Sequence, residues 1–295
     1  HLGSRSSRSR ASLRSIRQMR RMPTALVTGA SRGLGLEWCR QLSDKGWTVY
    51  AACRAGPAAP ALAPLNVTPV MLDVADPASV AGLAAALEGV DLDLLVNNAG
   101  IRPDECGPDK TLGEMDYSAM EATRRAAGKL CHGPFKINIL AQAVLATNTV
   151  GPMRVLSACL PALKRAGAFK VLNVSSGLGS CSLAAHTRRA FGNIAATDLA
   201  YRSSKAALNM ATALAALELG ESHPQSCVVA FDPGWVATDM GLRGGKDSPP
   251  LKVEDAVRRS IQRMEDLTPA ETGSYVSGPG TAAAVREDGS IGYGG

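Results

Sequence analysis

The run TGASRGLG at residues 28–35 follows a short apolar stretch, TALVT (24–28), and opens apolar spacing of helical type from Leu34 to Leu42. A glycine-rich turn between strand and helix narrows the choice of folds sharply, provided strands and helices continue to alternate after it. They do. Strand-like runs stand at WTVYAA (47–52), VMLDV (70–74), DLLVN (93–97), FKVLNVS (169–175) and CVVAF (227–231). Helical patterns cover 77–88, about 140–164, 201–219 and 253–264. Such alternation predicts an α/β fold, a doubly wound parallel sheet with helices on both faces. One domain over 22–280 is expected, after a disordered arm (1–21) and before a flexible tail (281–295).

The glycine turn carries its own chemistry. Gly29, Gly33 and Gly35 let the backbone turn tightly and approach a pyrophosphate, and the following helix offers free N–H groups and a positive dipole end. Ser31, Arg32 and Leu34 share that turn. In this strand–turn–helix context the pattern is the dinucleotide-binding signature of a Rossmann fold. NAD-selective sites usually place an acid at the end of the second strand to hold the ribose 2′-OH. Here the strand ends AACRAG (51–56), with Arg54 and no acid. Arg32 and Arg54 suit a 2′-phosphate, so NADP(H) is the expected cofactor.

Composition removes other classes. The chain has 295 residues, 45% apolar and 20% charged, which is ordinary for a globular fold. The net charge of +6 suggests nucleic acid until its position is read. Residues 1–22 hold seven arginines and no acid, and the remainder carries 25 Lys+Arg against 26 Asp+Glu. A near-neutral body lacks the basic face that nucleic acid requires. The Arg- and Ser-rich arm reads equally as an organelle transit segment or as a leader remnant. The cytoplasm is the expected location, with a plastid or mitochondrion as the alternative. Seven scattered cysteines without a CxxC pair read as reduced thiols, and Cys106, Cys131 and His132 fit no zinc spacing. No run of 18 uncharged apolar residues suggests a membrane span.

One tyrosine has a lysine four residues on, Tyr201 with Lys205 in YRSSK. On a helix these share a face. Acid–base work by a phenol at neutral pH needs its pKa lowered by about 3 units, roughly 4 kcal/mol. A neighbouring ammonium and a cationic nicotinamide are expected to supply that. Ser175 and Ser176 end the fifth strand, at the edge where open α/β sheets bind ligands.

With these motifs in order, the chain resembles the short-chain dehydrogenase/reductase family over nearly all of 23–280. The resemblance rests on TGASRGLG, LDV (72–74), NNAG (97–100), Asn148 in NTVGP, NVSSGLGS (173–180), YRSSK (201–205) and PGWVATDM (233–240). The wording is most similar to Sniffer-type carbonyl reductases and C-factor-like proteins. The resemblance implies an NADP(H)-linked oxidoreductase acting on a small carbonyl or alcohol. It makes Ser176 the hydrogen-bond donor to the substrate oxygen and Tyr201 the general acid/base. Lys205 would hold the nicotinamide ribose and lower the Tyr201 pKa, and Asn148 would support a proton-relaying water. Asp73 would contact adenine; Asn97, Ala99 and Gly100 would line the adenosine side and buttress the sheet. Val236 and Thr238 would touch the carboxamide and phosphates.

The chain departs from the family pattern in two places. Residues 101–147 separate NNAG from Asn148, and 25 positions separate Ser176 from Tyr201, both longer than is usual in the family. The segments 102–137 and 241–250 are expected to close over substrate as a lid. Two alternatives stay open: an NADP(H)-binding sensor with little turnover, and a ketoreductase of acyl thioesters. Association into a homo-oligomer also stays open.

Overall fold

The computed structural model describes residues 21–102, 141–184, 198–244, 249–278, 283–285 and 291–293. The predicted arm up to residue 20, most of the 102–137 insertion, the centre of the 241–250 loop and, in the tail, residues 281–282, 286–290 and 294–295 lie outside the described residues. So do Cys106, Cys131 and His132.

Strands β1 (Thr24–Thr28), β2 (Thr48–Cys53), β3 (Thr68–Met71), β4 (Leu94–Asn97), β5 (Lys170–Val174), β6 (Cys227–Asp232) and β7 (Tyr275–Ser277) form one sheet. Its order is β3-β2-β1-β4-β5-β6-β7, and every pairing is parallel. Helices α1 (Gly33–Asp44), α2 (Pro77–Ala86), α3 (Gly151–Ala166), α4 (Leu199–Ser222) and α5 (Val253–Asp266) connect or flank the strands. A small antiparallel pair, β8 (Ala283–Val285) and β9 (Ile291–Tyr293), stands apart from the sheet.

Burial explains the strand pattern. β1 and β4 are buried at every residue, as central parallel strands covered on both faces must be. Successive side chains alternate between layers. Ala25, Val27, Leu94 and Val96 pack with Trp38 and Leu42 of α1 and Ile261 of α5. Leu26, Leu95, Val171 and Val228 pack on the other face with Leu83, Val155, Leu163 and Ala216. β3 is one of the two edge strands, which is where Pro69 is tolerated. At α2, Asp76 caps the helix by accepting from the Ala78 and Ser79 amides at 3.0 and 3.3 Å, with Pro77 at the first position.

Three findings refine the sequence reading. A seventh strand, β7, was not foreseen. The predicted helix from about 140 is interrupted: a π-helical turn over Ala146–Val150 precedes α3. Arg21, placed in the arm, forks onto Asp93 through two 2.7 Å hydrogen bonds. By length and mean hydropathy (1.2) the run Ala141–Ala166 could span a membrane, yet its inner face, including Val155, Cys159 and Leu163, is packed in the core. Cys39, Cys53, Cys159 and Cys227 are free and buried, and burial pushes the Cys39 and Cys159 thiols up to about 12.

The chain leaves β3 and crosses to β4 on the far side of β1. Strand order therefore reverses between β1 and β4, and the crevice at their carboxyl ends is the expected ligand site. TGASRGLG follows β1 and NNAG runs out of β4, so both motifs meet there.

Candidate active site

The glycine turn is shaped by close approach. A Cβ at Gly35 would lie 2.3 Å from the Gly29 carbonyl oxygen, and one at Gly29 would lie 2.9 Å from Ala99 Cα, at a φ of +68°. Neither position admits a side chain without moving backbone. The NNAG segment braces this turn. Thr28 Oγ1 accepts from the Asn98 and Ala99 amides, each at 3.0 Å, and Asn98 Nδ2 donates to the Thr28 carbonyl at 2.9 Å. Asn98 was not singled out from sequence, although it sits inside the motif. Behind it, Asn97 is buried and donates to Asn173 Oδ1 at 2.8 Å and to the Pro152 carbonyl at 3.2 Å. It buttresses the sheet from within.

Helix α1 begins after Arg32 with no side-chain cap, so its first amides are left to a ligand. A turn stripped of side chains beside uncapped amides fits a pyrophosphate. Arg54 is exposed, with no hydrogen bond or ion pair among the described residues. Arg32 is engaged: its Nη1 lies 3.0 Å from Asp239 Oδ2, both side chains being 73% exposed. Ser31 is half-buried and Leu34 packs against the core. Asp73 turns its Oδ1 onto the Ala75 amide at 2.9 Å. Val236 is buried and bridges to Leu251, and a Cβ at Gly33 would meet Thr238 Cγ2 at 3.5 Å, which sets the PGWVATDM segment beside the glycine turn.

The second wall of the site is buried. Asn148, in the π turn, is fully enclosed. It accepts from the Ile101 amide at 2.8 Å and donates to the Ile101 carbonyl at 2.9 Å and to Ser204 Oγ at 3.1 Å. A π turn re-aims a side chain within a helix, a device common at functional sites. Lys205 Nζ donates to the Val174 carbonyl at 2.7 Å. A Cβ at Gly100 would meet Asn148 Oδ1 at 3.3 Å and Lys205 Nζ at 3.8 Å, so NNAG, the π turn and α4 converge. Tyr201 is 7% exposed and lies beside Ser176, whose side chain favours the ionised phenol and whose Oγ accepts from the Leu178 amide at 3.2 Å. The structure thus brings Asn148, Ser176, Tyr201 and Lys205 together.

In the chain alone, burial pushes the Tyr201 phenol up to about 12, against the Arg102 guanidinium and the Ser176 side chain. Burial of the phenolate outweighs nearby positive charge in the chain alone. Lys205 is brought down to about 8 by burial, opposed by the Asp232 carboxylate. Arg102 was also not foreseen. Its guanidinium lies 5.7 Å from the Tyr201 ring centre and forks onto Asp198, with Nε 3.1 Å from Oδ1. Asp198 is buried and left-handed (φ 61°) at the start of α4. No local signal marks this pair, whose partners lie 96 positions apart.

Comparison with known proteins agrees with this geometry. The family model for short chain dehydrogenase matches residues 23–247. The chain is 36% identical to C-signal of Myxococcus xanthus, over 64% of this chain and 90% of that protein. It is 31% identical to 1-hydroxy-2-glutathionyl-2-methyl-3-butene dehydrogenase of a Rhodococcus species, over 88% and 98%. Among solved structures, the NADPH-bound carbonyl reductase from chicken fatty liver is similar with a TM-score of 0.68 and 30% identity, over 88% of this chain and 98% of that one. The carbonyl reductase Sniffer of D. melanogaster follows at 0.67 and 29%, with the same coverage. An all-parallel sheet reversing at β1/β4, the glycine turn, the buried tyrosine–lysine wall and these matches place the chain in the short-chain dehydrogenase/reductase family of oxidoreductases.

Proposed function

We propose that the chain reduces the carbonyl of a small molecule with NADPH, and runs the reverse oxidation with NADP. The observation that carries this reading is the convergence of half-buried Ser176 with buried Tyr201, Lys205 and Asn148 on one wall beside the glycine turn. When bound, the nicotinamide supplies the hydride, and its chemistry is the cofactor's own. The chain's residues do the rest. The glycine turn and the α1 amides hold the pyrophosphate, and exposed Arg54, with Arg32, takes the 2′-phosphate. Ser176 orients the substrate oxygen and Tyr201 gives it a proton. Burial in the chain alone favours the protonated phenol, the form that an acid in the reductive direction requires. Lys205 keeps a positive charge beside the phenolate left behind. Asn148 pins the backbone of residue 101 at the mouth of the site.

The cytoplasm, a reducing compartment, suits the free buried thiols. Exposed Met210, Leu214 and Leu217 on α4 suit self-association. Neither nucleic acid nor membrane enters the reading. NADPH consumption measured over aldehydes, ketones, quinones and acyl thioesters tests it. Turnover with aldehydes or ketones is expected. NADPH binding without turnover on any of them would favour a sensor and overturn the reading.

A further inference from the structure

Asp232 ends β6, immediately before the PGWVATDM segment, and is 7% exposed. A buried carboxylate costs stability unless it is paired or fully hydrogen-bonded. This one is met by three donors. Oδ2 accepts from the Gly177 amide at 3.0 Å and from the Tyr275 hydroxyl at 2.6 Å; Oδ1 accepts from the Gly234 amide at 2.9 Å. Each donor belongs to a different piece of the site. Gly177 follows Ser176 directly, Gly234 opens the segment that runs beside the glycine turn, and Tyr275 lies on β7.

The turn that Asp232 grips is pressed against α4 from the other side. A Cβ at Gly179 would fall 2.8 Å from the Lys205 backbone carbon. Lys205 Nζ meanwhile bonds the Val174 carbonyl, two residues before Ser176. The Ser176 turn is therefore held at Gly177 by the Asp232 carboxylate and lies at Gly179 against the backbone of Lys205.

We propose that Asp232 is a positioning residue of the catalytic centre, fixing the Ser176 turn between β6 and α4 and acting as the counter-charge of Lys205. It touches neither substrate nor cofactor. It acts through Ser176 and Lys205, and so rests on the catalytic roles proposed above. The charged and titratable groups acting on Lys205 and Tyr201 are Asp232, whose charge raises both, Arg102, 5.7 Å from the Tyr201 ring centre and held by Asp198, and Asp198 itself; Lys205 Nζ lies 5.7 Å from the Tyr201 ring centre. Burial draws Lys205 down to about 8 and Asp232 opposes it. Removing the carboxylate lets Lys205 lose its proton at still lower pH. Asp232 also pushes the Tyr201 phenol up, so its removal moves both groups in the same direction.

The test is the pH profile of kcat for carbonyl reduction by NADPH. Wild type is expected to hold its rate below about pH 8 and lose it above, as Lys205 deprotonates. Asp232→Asn is expected to lower kcat about tenfold and to move that falling limb towards acid. Asp232→Ser, smaller, neutral and still an acceptor, replaces it if the Asn variant does not fold. Tyr275→Phe removes one hydrogen bond but keeps the charge, and its limb is expected to stay with wild type. A neutral variant whose limb overlays wild type at any height overturns the proposal, because packing alone then explains the loss. A Tyr275→Phe limb displaced as far as that of Asp232→Asn overturns it equally. Wild-type turnover that Tyr201→Phe leaves intact breaks the functional reading first; an unmoved limb in an otherwise Tyr201-dependent enzyme breaks only the role of Asp232.

Discussion

Arg32 meets Asp239 in solvent, with both side chains 73% exposed, while Asn148 is wholly enclosed and fills three hydrogen bonds, two of them to the backbone of Ile101. The two regions stand at one sheet edge and obey different physics. On the cofactor side, selectivity rests on exposed guanidiniums, each screened by water and salt and each worth little alone. On the catalytic side, Asn148, Tyr201 and Lys205 are buried and Ser176 is half-buried, so an unmade bond among the enclosed groups costs the full desolvation of its partner. The first side tolerates change. The second loses geometry and rate together.

Substitutions can break that contrast. The largest effect is expected at Asn148→Leu. It strands the Ile101 amide and carbonyl and should cost about 2–4 kcal/mol of stability, read as a lower Tm, with turnover falling at least tenfold. A variant as stable and as active as wild type would show the wall is not held this way. Gly35→Ala comes next. Its Cβ would meet the Gly29 carbonyl at 2.3 Å, so the turn must shift and NADPH affinity should fall about tenfold or more, measured by cofactor fluorescence. Arg54→Asp should weaken NADPH about tenfold relative to NADH, and less as salt is raised. Equal wild-type efficiency with both cofactors would remove Arg54 from the selectivity argument. The smallest effect is expected from starting the chain at Met22. That deletes the Arg21–Asp93 fork, whose side chains are 41% and 25% exposed, at a cost of at most about 1 kcal/mol.

The same contrast explains what could be read from sequence. β1, β2, β4, β5 and β6 announce themselves as apolar runs, since strands covered on both faces need no polar alternation. β7 does not: Tyr275–Ser277 is three residues long, and only pairing with β6 makes it a strand. The glycine turn and the Tyr201/Lys205 spacing are local patterns and were legible. Asp232, Arg102 and Asp198 were not, because each has partners 43 or more positions away that decide its role. Sequence shows the lysine beside Tyr201 but not the burial, which in the chain alone pushes the phenol up. The π turn that aims Asn148 inward likewise has no signature in ATNTV.

Transfer of deuterium from C4-labelled NADPH to a ketone, followed in wild type and in Tyr201→Phe, tests the central claim most directly. Label should appear on the carbinol carbon of the product with wild type. Tyr201→Phe should slow that transfer by about 10²–10⁴-fold while binding NADPH as tightly as before. Label delivered at the wild-type rate by the phenylalanine variant would contradict the assignment of Tyr201 as the proton donor.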